Sequence, residues 1–125
     1  MIKFEVKNDK FVVSAKVIET GKDLVVVIGG GESHIGAVGV SFPTASIIND
    51  KLTVTTSIIT LPSHKDDVVA KITGEKISKA LERKVVVIAG IHFDNISKND
   101  IDEILNCCEL LTEKIIRYFS DMREK

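Results

Sequence analysis

The segment from Leu24 to Gly39 constrains the fold of this 125-residue chain more than any other part of the sequence. It begins with five consecutive β-capable residues, Leu24–Ile28, which is typical of a strand buried on both faces. Three glycines, the segment Glu32-Ser33-His34-Ile35-Gly36 and a second apolar run from Ala37 follow. Two residues suffice to reverse a chain in a hairpin. The sequence therefore predicts a longer, glycine-rich loop whose bare amides lie beside a histidine.

Such a loop is a candidate ligand site because glycine lets a ligand approach the backbone closely. We take Gly30, Gly31, Glu32, Ser33 and His34 as candidate cofactor-binding residues. The segment is neither a Rossmann fingerprint, which needs GxGxxG before a helix, nor a P-loop, which ends in Gly-Lys-Ser/Thr. These two nucleotide-binding motifs are excluded, while a plain connecting loop stays open as an alternative.

Length and composition limit the class of protein. A chain of 125 residues that is 44% hydrophobic predicts a single domain over residues 1–125. The net charge of −1 gives no electrostatic basis for nucleic-acid binding. Because neither a membrane-spanning run nor a signal-peptide pattern is present, we expect a cytoplasmic protein without a membrane partner. The adjacent Cys107 and Cys108 suit neither a disulfide nor zinc, so we expect small buried residues in a reduced compartment.

Hydrophobic periodicity predicts strands followed by helices. Alternation and turn residues place five strands at 2–7, 11–19, 24–28, 37–42 and 51–59. The short turns favour an antiparallel meander, in which the strand after the glycine loop pairs with the strand before it. A sixth strand, 84–93, is as apolar as Leu24–Ile28, so we expect both to be central.

The first predicted helix begins at Ser63, which is placed as its N-cap because Asp66 stands three residues on. It runs to about Arg83. Its candidate core positions are Val69, Ile72, Ile77, Ala80 and Leu81. A glycine inside a helix costs about 1 kcal/mol relative to alanine, so we expect close packing at Gly74 to compensate.

The second predicted helix starts after Ser97, with Asp100 at the same spacing, and continues to the C-terminus. Its apolar stripe is Ile101, Ile104, Leu105, Cys108, Leu111, Ile115 and Phe119, and its polar face is Asp102, Asn106, Glu109 and Glu113. The helix is roughly 40 Å long at 1.5 Å per residue. A domain of this size has a radius of gyration of about 14 Å, so the helix spans or overhangs the domain.

These elements predict an α+β fold, in which an antiparallel-rich sheet of about six strands carries two helices on one face. The other face holds enough valine and isoleucine to pair with a second copy of the chain. We therefore expect a homodimer.

The three histidines each stand at the boundary of a predicted element: His34 in the glycine loop, His64 at the first helix start and His92 at the end of a buried strand. Strand ends and helix starts converge at one rim of a sheet, so we expect the imidazoles to share that rim. Two chemistries stay open, namely a divalent metal held by neutral imidazoles and hydrogen bonds to a phosphate or an electron-rich ring. Ser63, Lys65 and the amides at the helix start suit a phosphate.

Conventional catalytic sets fit the sequence poorly. Ser33 and His34 are neighbours without a nucleophile elbow, no Cys–His pair is evident, and acids pair only at the helix starts. The sequence favours a binding site over a catalytic apparatus. A small metal-dependent enzyme that uses His34, His64 and His92 remains the alternative.

Three motifs, at 29–38, 62–67 and 87–97, together resemble the LpdD-like prenylated-flavin chaperones, the small partner proteins of UbiD-type decarboxylases such as gallate decarboxylase. The resemblance covers nearly the whole chain in the same order. It implies a dimeric α+β domain similar to proteasome-assembly chaperones. It also implies a non-catalytic carrier that binds prenylated FMN and supports maturation of a UbiD-type aromatic acid decarboxylase.

The resemblance places the flavin near the motifs that hold His34, His64, Lys65 and His92. A carrier of prenylated FMN is therefore our first hypothesis, and a metal-dependent enzyme is the second. A third is a pure protein-assembly chaperone, in which the glycine loop contacts a partner protein.

Overall fold

The alternation of apolar and polar residues produces six strands and two helices. The computed structural model describes residues 1–46, 48–49, 51–62 and 65–123. Its strands are β1 (Ile2–Lys7), β2 (Val12–Thr20), β3 (Asp23–Gly31), β4 (Ala37–Ala45), β5 (Leu52–Thr60) and β6 (Val85–His92). Its helices are α1 (Asp66–Leu81) and α2 (Lys98–Arg123). The predicted α+β class is confirmed.

The strands form one six-stranded sheet in the order β1-β2-β3-β6-β4-β5. All neighbouring strands are antiparallel except β3 and β6, which run parallel. Helix α2 packs on β1 and β2, α1 packs on β4, β5 and β6, and the helices contact each other. The core lies between the helices and the inward side chains of the sheet, which include Val13, Ala15, Val17, Leu24, Val26, Ile28, Val85, Val87 and Ala89.

The predicted pairing of β3 with β4 is wrong, because β6 lies between them. Both β3 and β6 are continuous apolar runs and lie at the centre of the sheet. The predicted burial on both faces is wrong, because only the side toward the helices is buried and Val25, Val27, Val86 and Ile88 are half-buried on the other side. Their central position was correctly predicted. Strand β4 also continues through Pro43 to Ala45, since beyond Ser41 it pairs only with β5 and proline then removes no hydrogen bond with β6.

The predicted glycine loop is largely strand. Gly29, Gly30 and Gly31 complete β3, where they pair with β6, and Gly29 and Gly30 also pair with β2. Gly29 and Gly30 are buried. Side chains added there would meet the Ser33 hydroxyl and the Phe93 ring, so the absence of Cβ serves local packing.

Helix α1 starts later than predicted. Its first residue is Asp66 and its N-cap is Lys65, which makes no side-chain capping hydrogen bond. The predicted capping box is therefore wrong, and Ser63 itself lies outside the described residues. The helix ends at Leu81, because the next residue, Glu82, adopts the left-handed conformation with φ 55°.

The buried stripe of α1 also differs from the prediction at two positions. Val69, Ile77 and Leu81 are buried as expected, but Ile72 is 46% exposed and Ala80 is exposed too. The small residues Thr73, Gly74 and Ser78 occupy the buried side instead. A Cβ at Gly74 would lie 2.5 Å from the Ser41 hydroxyl, which confirms the predicted close packing at this glycine.

Helix α2 agrees with the sequence pattern. The Ser97 backbone N–H donates to Asp100 Oδ2 at 3.0 Å, and the Asp100 N–H donates to Ser97 Oγ at 3.1 Å. The first of these bonds lowers the pKa of the Asp100 carboxyl. The residues Ile104, Cys108, Leu111, Ile115 and Phe119 are buried, and the predicted polar face is exposed.

The sheet face away from the helices carries an apolar strip across its central strands. The strip consists of Val25 and Val27 on β3, Val86 and Ile88 on β6, and Val38 and Val40 on β4. We call it the open face. Within the described residues, no helix has the length and hydropathy needed to cross a membrane.

Cys107 and Cys108, both within α2, are free and buried, as the sequence predicts. Burial raises the pKa of the Cys108 thiol from 9.0 to about 12, and the nearby charges of Cys107 and Asp66 add to this effect. The thiolate is the reactive form. Near neutral pH the Cys108 thiol therefore stays protonated.

The raised pKa of Cys108 predicts a loss of stability in alkaline solution. Above pH 9 the unfolded chain releases the thiol proton, whereas the folded chain keeps it until about pH 12. The folded state then binds more protons, so the free energy of unfolding falls as the pH rises through this window. Urea denaturation on both sides of pH 9 measures the decline, and we expect a smaller slope for Cys108→Ala. Equal slopes in the two proteins would contradict this assignment.

Candidate functional site

The connection between β3 and β4, residues 32–36, crosses the carboxyl end of β6 because β6 separates the two strands. It spans roughly 10 Å, twice the strand spacing. The Glu32 N–H donates to the His92 carbonyl, and the Gly36 N–H donates to the Ala89 carbonyl, each at 2.9 Å. A Cβ at Gly90 would overlap the backbone of His34, so this glycine lets the connection lie directly on the strand.

Asp66 fastens the connection to the start of α1. Its side chain is only 6% exposed. One carboxylate oxygen accepts the Ile91 backbone N–H at 3.0 Å, and the other lies 3.3 Å from His34 Nε2. A Cβ at Gly36 would overlap this carboxylate. Three segments distant in the sequence, namely 32–36, the start of α1 and the end of β6, therefore meet at one buried acid.

His34 and His92 lie together at this rim, with ring centroids 6.5 Å apart and the rings edge to face. His92 Nε2 lies 3.0 Å from Asp94 Oδ1. The predicted convergence is confirmed for these two histidines. His64, the third, lies outside the described residues, as does Ser63.

The other predicted cofactor-binding residues lie either at the surface or within strand β3. Glu32 and Ser33 are exposed on the connection, and Lys65 is exposed at the N-cap of α1. Gly31, with φ 62°, ends β3 opposite His92, and Gly30 is buried beneath the Phe93 ring. The groups available at this rim are therefore side chains. The sequence predicts instead that bare glycine amides contact a ligand here.

The described part of the chain offers no ready metal site. No group of three or more histidine, cysteine, aspartate or glutamate side chains within it is arranged to hold an ion. Both ring nitrogens of His34 already face oxygen atoms, because Nδ1 lies 3.3 Å from the Glu32 carbonyl and Nε2 faces Asp66. A metal at His34 would have to displace one of these contacts.

A cleft of about 370 Å³ opens beside the two histidines, between the start of α1, the end of β6 and the first half of α2. Lys65, Asp66, His92 and Asn95 form its polar side. Sequence reasoning did not find Asn95 or the cleft, and it took Asp66 for a helix-capping acid. A lone Asp at a helix start carries no signal of burial, which arises here from the crossing connection.

A comparison with protein families decides the identity of the chain. Residues 7–120 match the family described as "Prenylated flavin chaperone LpdD-like domain". The chain belongs to this LpdD-like family. The resemblance seen in the three sequence motifs is thereby confirmed.

Among solved structures, the LpdD-like chain is similar to one from the crystal structure of a chaperone complex for yeast 20S proteasome assembly. The two are 16% identical, the match covers 90% of this chain and 94% of the other, and the TM-score is 0.49. A comparison with curated proteins gave no match.

Proposed function

We propose that this LpdD-like protein is a non-catalytic chaperone that binds prenylated FMN and supports maturation of a UbiD-type aromatic acid decarboxylase. The observation that carries the proposal is that His34 and His92 lie together at one rim, where His92 and Lys65 both line a cleft. The family description supplies the flavin. The donor set fits such a ligand, because cationic and hydrogen-bonding groups stand beside an apolar cleft.

The proposed roles follow from where each side chain lies. Lys65, a cation at the N-cap of α1, pairs with the flavin phosphate. His34 exchanges its Nδ1 contact with the Glu32 carbonyl for a hydrogen bond to the phosphate or to the flavin ring, and His92 donates to the same ligand. Glu32 and Ser33 border the ligand from the connection. The proposal extends to Ser63 and His64, which precede Lys65 in the sequence.

Gly30 and Gly31 stay in the proposed site as supporting residues rather than direct ligands. A Cβ at Gly30 would meet the Phe93 ring, and one at Gly31 would overlap the His92 carbonyl. Only glycine leaves both His92 and Phe93 in their observed positions.

We also propose that two copies pair through the open face. Six aliphatic side chains of its central strands are half-buried or exposed, and the charged residue of these strands on this side, Asp23, stands at the very start of β3. The neighbouring strands β1 and β2, in contrast, place Lys3, Glu5 and Lys16 on the same face. Contiguous exposed apolar patches mark association surfaces. An uncharged surface can meet its own copy without bringing like charges together.

Gel filtration with light scattering, under anaerobic conditions, tests these proposals together. We expect the wild-type protein to elute as a dimer and to carry prenylated FMN, detected by its absorption. His34→Ala and His92→Ala should each lower the amount of flavin carried at least tenfold, because a charge-assisted hydrogen bond to the ligand contributes about 1.5–3 kcal/mol. Tyr118→Ala, far along α2, is the matched control and should carry flavin normally.

Failure of the wild-type protein to co-elute with prenylated FMN would contradict the carrier proposal. If the histidine variants carry flavin as wild type does, the imidazoles are not the ligand contacts. A pure assembly chaperone would bind the decarboxylase without any flavin. Elemental analysis of protein made without a histidine tag tests the metal-dependent alternative, which requires a stoichiometric ion.

A further inference from the structure

The cleft beside the histidines has walls from three elements. Val69 comes from α1, Ile91 and Phe93 from the end of β6 and the connection after it, and Ile101 and Leu105 from α2. Its volume of about 370 Å³ falls within the range of small-molecule sites, which is about 300–1,000 Å³. It is therefore large enough to take part of a ligand, and not merely a packing defect.

The apolar part of the cleft is built on fixed side chains. The Phe93 ring contacts the Phe11 ring edge to face, with centroids 4.9 Å apart, and lies over Gly30. Ile101 belongs to the first turn of α2, whose start is held by the reciprocal Ser97 and Asp100 hydrogen bonds. A preorganised wall of this kind binds a rigid apolar group with little further loss of conformational entropy.

The polar groups of the cleft come from the start of α1, the end of β6 and the residues just after β6. Lys65, Asp66, His92 and Asn95 border it, and the Asp66 carboxylate is already engaged by Ile91 and His34. Helix α2 contributes only hydrocarbon to the cleft, from Ile101, Ile104 and Leu105. The cleft thus suits a ligand with an apolar end and a polar or anionic end.

We propose that the cleft receives the prenyl-bearing end of the flavin ring system, while the phosphate chain turns toward Lys65. This inference rests on the proposed function and assigns a subsite to it. Prenylation adds a branched hydrocarbon to the ring, and burying this hydrocarbon in an apolar cleft stabilises the complex. The cleft would therefore be the part of the protein that distinguishes prenylated from unmodified FMN.

Anaerobic titration with prenylated FMN, followed by flavin fluorescence, tests the subsite with Ile101→Gln. Glutamine is a good helix former, so the substitution makes the cleft polar with little effect on α2. We expect the dissociation constant to rise at least tenfold. Leu110→Gln is the matched control, since it makes the same change on the same helix at a 47% exposed residue outside the cleft, and it should bind within twofold of wild type.

Ile96→Asn, in the connection before α2, provides a second test should Ile101→Gln fail to fold as judged by circular dichroism. Wild-type affinity in the folded cleft variants would overturn the subsite and leave the carrier function standing. Absence of prenylated FMN binding by the wild-type protein would overturn both. A similar loss in Leu110→Gln would also count against the subsite, because the effect would not then be local to the cleft.

Discussion

Gly90→Ala is expected to lower the free energy of unfolding by about 3 kcal/mol or more and to weaken flavin binding at the same time. The added Cβ would overlap the backbone of His34, which cannot rotate away as a side chain could. The connection 32–36 would have to lift from β6, which would remove His34 from Asp66. Guanidinium denaturation measures the first effect, and titration with prenylated FMN measures the second.

Gly21→Ala is the control that separates steric overlap from backbone strain. Gly21 has φ 64° in the turn between β2 and β3, and no atom lies within 4 Å of the position of an added Cβ. We expect Gly21→Ala to lower the free energy of unfolding by about 1–2 kcal/mol, because alanine is strained in this backbone conformation. Flavin binding should be unchanged. A Gly90→Ala protein within about 0.5 kcal/mol of wild type, the range of ordinary surface changes, would show that the crossing is not as tightly packed as described.

Asp66→Ala is expected to lower the free energy of unfolding by about 2–4 kcal/mol. The substitution leaves the Ile91 backbone N–H without its acceptor and removes the carboxylate beside His34. Asp66→Asn keeps an oxygen that can accept the Ile91 N–H, so it should lower the free energy of unfolding by less than Asp66→Ala does. Chemical denaturation measures the stability, and hydrogen exchange of the Ile91 amide reports directly on the lost bond.

Asp67→Ala provides the matched comparison. Asp67 stands beside Asp66 in the first turn of α1 and shares its favourable interaction with the helix dipole, which is worth about 0.3–1 kcal/mol at low salt. If Asp66→Ala lowers the free energy of unfolding no more than Asp67→Ala does, the Asp66 carboxylate stabilises the protein only through its interaction with the helix dipole. The attachment of the connection to α1 and β6 would then have to come from the backbone hydrogen bonds alone.

Local patterns sufficed for most of the secondary structure. The alternation in β1, the two apolar runs that became β3 and β6, and the Ser97–Asp100 spacing each depend on residues within a few positions of one another. The apolar stripe of α2 is likewise a property of its own sequence, and the three motifs were sufficient to indicate the family. Such features are readable because the physical cause and the residues that show it are neighbours in the chain.

The errors arose where distant segments meet. The pairing of β3 with β4 was the natural reading of two strands joined by a short connection, but the equally apolar β6, more than 40 residues later in the chain, takes the place between them. Because β6 lies between β3 and β4, the glycine-rich stretch is not the loop that the sequence predicts. Gly29–Gly31 become strand, and the following residues become a bridge over its end.

The sequence by itself therefore determined the α+β class, the central strands, the long amphipathic helix and the residues that characterise the family, since each is encoded in a local hydrophobic period or motif. Only the tertiary structure decided that Asp66 is a buried anchor, that His34 and His92 share one rim, and that an apolar cleft opens beside them. These features depend on which strand lies beside which. That order depends on the total apolar surface that the whole sheet buries, and no single segment of the sequence determines this total.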